Sequence, residues 1–209
     1  LKRFPPIRTG GFHFSGQTAS PQRNIQVKTA VIVKDTIPDE KIEILRDNCN
    51  NLRDRAMIDF LLSTGIRVGE LVRLNIDDID FSERECVVYG KGDKERKAYF
   101  DAKTKIHLLN YIESRTDNNI ALFVSLNKPH SRLIESGVEL RLREMGKKLG
   151  VEKVHPHKFR RTMATRAIEK GMPIEQVQKI LGHEQIDTTL RYAMVNQNNV
   201  KLSHRKYIS

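Results

Sequence analysis

The stretch from Leu181 to Tyr192 reads LGHEQIDTTLRY, with a histidine just past a glycine helix stop and a tyrosine inside the next helical segment. A phenol is a poor nucleophile at neutral pH because its ordinary pKa is about 10. A reactive tyrosine therefore needs cations and hydrogen-bond donors around it to stabilise charge as it attacks. Arg67, in STGIRVGEL, follows a glycine that ends one helix and precedes a sequence that starts another. It is either a surface arginine paired with Glu70 or a guanidinium aimed by the bend into a cleft. Lys91 lies between Gly90 and Gly92, where missing side chains let the backbone approach a ligand. It reads as a solvated turn lysine or as a mobile ammonium that reaches a base edge or protonates a leaving oxygen.

His157 and Arg160 occur in VHPHKFRRTMATRAI on a helix predicted to begin near Pro156. Three positions apart, they share a face, and two donors on one face suit an oxyanion. His155 and His157 could instead ligate a metal, but no third and fourth ligand follow at suitable spacing. Arg161 points away from Arg160 in a helix, and a phosphate contact is its expected role. Taken singly, His183 reads as a cap on the last helix carbonyls. Asp187 is expected to cap the following helix, placing Tyr192 about one and a half turns inside it.

The elements that must hold these groups are mostly helical. Pro38 followed by DEKIEILRDNC gives a helix start with acidic residues in the first turn. LRDRAMIDFLLSTG puts Leu52, Ala56, Met57, Phe60 and Leu61 at helical spacing, with Gly65 as the stop. Cys86 and Val88, then Ala98 and Phe100, alternate around Gly90-Lys91-Gly92-Asp93, which predicts an antiparallel hairpin. Helical patterns follow at 102–115, 136–149, 157–170, 173–181 and 187–195, with a short strand at ALFVS. Gly171 reads as a stop, Pro173 as a first-turn residue, and Ile174, Val177, Ile180 and Leu181 as the buried stripe before Gly182. The expected fold is α+β, mainly α-helical, with one small antiparallel sheet. There is no repeat at solenoid spacing.

Across 209 residues, 37 Lys+Arg against 26 Asp+Glu leave a net charge of +11. That excess, with a pI near 9.7, points to a polyanionic partner, nucleic acid first. A membrane surface is the competing partner, but the sequence has no long apolar span, no signal-peptide core and no basic helix with an aromatic face. Cys49 and Cys86 lack metal or redox-pair spacing and read as ordinary thiols of a reducing cytosol, their pairing left open. Residues 1–37 mix Pro, Gly, Ser and positive charge and read as a basic arm or interdomain linker. Because the chain begins at Leu1, we expect a further part upstream. Residues 38–195 form the expected catalytic domain and 196–209 a C-terminal tail.

In order, TGIRVGEL, GKGDKER, HPHKFRRT and LGHEQIDTTLRY resemble the catalytic domain of the tyrosine recombinases, the phage-integrase and Xer family, from about Pro38 to the C-terminus. The resemblance implies a catalytic set of Arg67, Lys91, His157, Arg160, His183 and Tyr192. Many members read HxLRH where this chain reads His157-Lys158-Phe159-Arg160-Arg161, so Arg161 replaces a histidine outside the catalytic set. Lys94, Lys158 and Arg161 are the expected DNA contacts. The implied reaction is attack of Tyr192 on a DNA phosphate through a 3'-phosphotyrosyl intermediate, in integration, excision or resolution, with no metal, ATP or other cofactor. The implied partners are a double-stranded recombination site, three further protomers in a tetramer synapsed on DNA that exchange their tails, and accessory DNA-binding proteins, in the cytoplasm at the nucleoid. The alternatives are an architectural or regulatory DNA-binding protein of the same fold, or a type IB topoisomerase-like relaxation of supercoils.

Overall fold

The structure, a computed structural model, describes residues 36–90, 92 and 94–193. The arm up to residue 35, Lys91 and the tail 196–209 lie outside the described residues.

Helix α1 (Asp39–Asp47) starts after Pro38 with Asp39 and Glu40 in its first turn, favourable at the positive helix end, and it buries Ile42 and Leu45. Helix α2 (Leu52–Thr64) is the central element. Asn51 caps it by accepting from the Asp54 N–H at 2.8 Å, and its residues from Ala56 to Leu62 are buried. Phe60 sits against Phe100 and Phe123 at ring separations of 5.8 and 6.2 Å. Phe123 stacks in turn on Tyr111 at 5.6 Å, which ties α2 to helix α4 (Ala102–Glu113). Gly65 ends α2 in the left-handed region at φ 62°, where only a residue without Cβ is at ease.

After helix α3 (Val68–Arg73) and a short 3₁₀ turn at Ile76–Asp78 comes a three-stranded antiparallel sheet in the order β1 (Ile79–Asp80), β2 (Glu85–Tyr89), β3 (Glu95–Tyr99). Cys86 pairs with Ala98 and Val88 with Arg96. Cys86, Val88 and Ala98 are buried, so the alternation read from sequence sets the inner face. Four helices complete the fold: α5 (Glu135–Lys148), α6 (Pro156–Glu169), α7 (Ile174–Leu181) and α8 (Ile186–Ala193). The fold class is as expected, mainly α-helical with a small antiparallel sheet.

Two local expectations are corrected. ALFVS is not a strand, since Ala121 and Val124 make only isolated bridges to Asn75 and Arg132. The Arg115 guanidinium takes the carbonyls of Asn119 and Ala121 at 2.5 and 2.6 Å. Ala121 to Val124 are all buried, so the run has neither the alternation nor the free edge of a strand. The two-residue strand β1 is too short to leave a periodic signal. Asp187 is the second residue of α8, within its first turn, and so is not the cap expected from sequence. Cys49 and Cys86 are both free thiols, and burial pushes each up to about 12. Among the described residues no helix is long and apolar enough to cross a membrane.

Candidate active site

The site is built where two helices end. Helix α2 stops at Gly65 and α7 stops at Gly182, at φ 62° and 61°. Each stop leaves carbonyls without helical partners and presents the negative end of a helix dipole. Arg160, buried on α6, donates to Gly65 O at 2.6 Å and to Leu181 O, so one guanidinium spans both helix ends. Burial, then the Arg67 and Arg96 guanidiniums, lower its pKa to about 10. It remains a cation at neutral pH.

Arg67 precedes α3, and its backbone N–H donates to Glu70 Oε2 at 2.7 Å, half of a capping box. Its side chain reaches Glu70 Oε1 at 2.9 Å and Gly182 O at 3.3 Å. Arg67 thus makes the pair with Glu70 that its sequence allows, and it also meets the terminus of α7. Its side chain is 38% exposed against 3% for Glu70. The carboxylate is interior while the guanidinium is presented outward.

His183 leaves α7 with its backbone N–H on Gln178 O at 3.2 Å. Its imidazole does not cap that helix, since Nδ1 lies 2.9 Å from Thr189 Oγ1, a fully buried hydroxyl on α8. Burial, then Arg160, Arg67 and Arg96, lower its pKa to about 4. The ring of Tyr192 lies nearly parallel to that of His183, at 6.1 Å and 22°. Tyr192 packs on the small cluster of Ala164, Val177 and Leu181, which joins α6, α7 and α8. Arg67, Arg160, His183 and Tyr192 thus meet around the ends of α2 and α7.

His157 stands exposed in the first turn of α6, one turn before Arg160 and on the same side of the helix. Its ring lies 6.4 Å from that of His155. Among the described residues no group of His, Cys, Asp and Glu side chains is arranged to hold a metal ion. Lys91 lies outside the described residues, but Gly90 before it is close by: a Cβ there would lie 3.8 Å from Glu70 Oε1 and 4.0 Å from Arg67 Nη1. The hairpin base is therefore at the site.

Of the expected DNA contacts, Lys94 is exposed and pairs with Glu184 at 2.7 Å, and that hydrogen bond raises its pKa. Arg161 is half-buried, and its Nε has no hydrogen-bond partner among the described residues. Lys158 departs from expectation. It is 4% exposed and donates to Glu152 O at 3.2 Å, so its ammonium holds the loop before α6 instead of meeting a phosphate. Sequence reasoning passed over two residues of the site, Arg96 and Thr189. Arg96 carried a signal, because alternation with Ala98 puts it on the apolar face of β3; Thr189 carried none.

The comparisons agree with this geometry. The sequence matches the profile of the phage integrase family over residues 36–199. It is 37% identical over 161 residues to the tyrosine recombinase XerC of Staphylococcus aureus, covering 75% of this chain and 53% of that protein. The chain thus spans about half the length of the curated relatives it matches. Among solved structures, the XerA recombinase superposes with a TM-score of 0.72 at 32% identity, over 83% of this chain and 65% of that one. XerH bound to its difH substrate shares the fold at a TM-score of 0.63 and 24% identity, over 76% and 49% of the two chains. With the profile running through α1 to α8, and Arg67, Arg160, His183 and Tyr192 meeting at the ends of α2 and α7, the chain belongs to the phage integrase family.

Proposed function

We propose that this chain carries the catalytic machinery of a site-specific DNA recombinase that cuts and rejoins strands through a 3'-phosphotyrosyl intermediate, without metal or ATP. The observation that carries this reading is the meeting of Tyr192 with His183 at 6.1 Å beside the Arg160 and Arg67 guanidiniums. Tyr192 Oη gives its proton to the neutral His183 imidazole as it attacks the scissile phosphorus, the P–O5' bond breaks, and the 5'-oxygen leaves with a proton from Lys91. Arg67 and Arg160 take the charge that builds on the non-bridging oxygens. His157 donates to the same phosphate. With Nδ1 of His183 occupied by Thr189, its other ring nitrogen is the one left to take the phenol proton. Attack by a 5'-hydroxyl of another strand reverses the step and conserves the bond energy.

The relatives support DNA as the substrate: XerC is a tyrosine recombinase, XerH is bound to difH, and the Tn1549 transposon integrase is bound to a circular intermediate DNA. Lys94 and Arg161 act on the DNA backbone, and four protomers synapse on two duplexes through exchanged tails, residues 196–209. The deciding experiment incubates the protein with a nicked suicide duplex, with Tyr192→Phe alongside, and maps any covalent adduct. A 3'-linked adduct on Tyr192, absent from the phenylalanine variant, is expected. Tight binding without an adduct would instead favour an architectural role, and relaxation of supercoiled plasmid without partner exchange a topoisomerase.

A further inference from the structure

Arg96 is an arginine on the inward face of a strand. Its register opposite Val88 and its alternation with Ala98 place it with the buried side chains of the sheet, and its side chain is 12% exposed. One guanidinium nitrogen donates to Glu70 Oε2 at 2.6 Å and the other to Ile180 O at 2.6 Å. Its stem lies over Gly182, where a Cβ would come within 2.7 Å of Cδ and 2.8 Å of Nε. A rigid guanidinium fork suits two acceptors at once, which a lysine ammonium on a flexible stem does not reproduce. Arg96, itself on β3, is therefore joined to two parts of the site: the carboxylate that holds Arg67 and the helix end that presents His183.

We propose that Arg96 is a positioning residue, which acts through Glu70 and the Ile180–Gly182 turn to hold Arg67 and His183 in one reactive arrangement. It does not touch the substrate. The proposal rests on the recombinase reading, and the test separates the two. The probe is a nicked suicide duplex carrying the tightest-bound sequence selected by the wild-type protein from random duplexes. Arg96→Lys, Arg96→Gln, Glu70→Gln and the Arg96→Lys/Glu70→Gln double variant are compared for thermal melting, duplex Kd and single-turnover adduct formation.

For Arg96→Lys we expect a folded protein, a Kd within about threefold of wild type and adduct formation about tenfold to 100-fold slower, the loss that misplacement of a reactive group brings. The double variant is expected to be no slower than the slower single, since both changes break one link. An Arg96→Lys rate within about twofold of wild type, fully additive losses in the double variant, or a Kd that weakens in step with the rate would each overturn the positioning role. Loss of fold in both Arg96 variants would assign the residue to the core and overturn it too. Absence of any adduct from the wild-type protein would instead bring down the recombinase reading.

Discussion

The Arg160 guanidinium satisfies Gly65 O and Leu181 O while facing the place proposed for a phosphate. Arg160→Ala is expected to slow cleavage by about 10²–10³ and to lower stability by about 1–3 kcal/mol, because buried carbonyls lose their donor. Single-turnover cleavage and urea unfolding read the two effects separately, and near-normal cleavage would remove the residue from the mechanism. His183 has a pH signature. Its folded pKa of about 4 lies below the ordinary value of 6.5, so between these limits the unfolded chain binds more protons and stability falls as pH falls. Replacing it, as in His183→Gln, is expected to flatten the decline of Tm between pH 6.5 and 4. Arg67 and Arg160 were legible because a fixed spacing to a glycine stop or a histidine survives in sequence. The burial of Lys158 was not, because periodicity names a helix face without saying which neighbour covers it.

The two helix stops are as consequential as the side chains they present. Gly182→Ala would put a Cβ at φ 61° and against the Arg96 stem, so a destabilisation of at least about 1 kcal/mol and a slowed cleavage step are expected. Thermal melting and adduct formation check it, and a neutral outcome for both would mean the turn accommodates the methyl. Helix α2 carries a second constraint far from the chemistry. Asp54, fully buried, accepts from Arg53 at 2.6 Å and from Arg141 at 2.7 Å. The arginines outweigh burial and hold its carboxyl below the usual range. Asp54→Ala leaves the interior Arg53 uncompensated and is expected to cost about 3–5 kcal/mol in chemical denaturation. Gly65 and Gly182 were readable as stops in the sequence. The failure of ALFVS as a strand was not, because it depends on Arg115 folding back onto that segment's own carbonyls.

Taken as a whole, the chain is basic, which suits a polyanionic partner. At +11, DNA affinity is expected to fall steeply as salt rises, with a log–log slope that counts the phosphate contacts; a flat salt response would argue against backbone binding. The mainly helical class followed from hydrophobic period, and the family from the order of four short motifs. How α6, α7 and α8 close around Leu181 did not, since that packing joins residues distant in sequence.

Three guanidiniums, those of Arg67, Arg96 and Arg160, are steered by helix-end carbonyls, and the first two share the Glu70 carboxylate. Carbonyl dipoles orient a cation without cancelling it, so the site is electrostatically frustrated, with like charges crowded together. Whatever anion fills it relieves that frustration, and the relief returns as fold stability by mass action. On the recombinase reading, the DNA phosphate would then stabilise the fold as well as react with it.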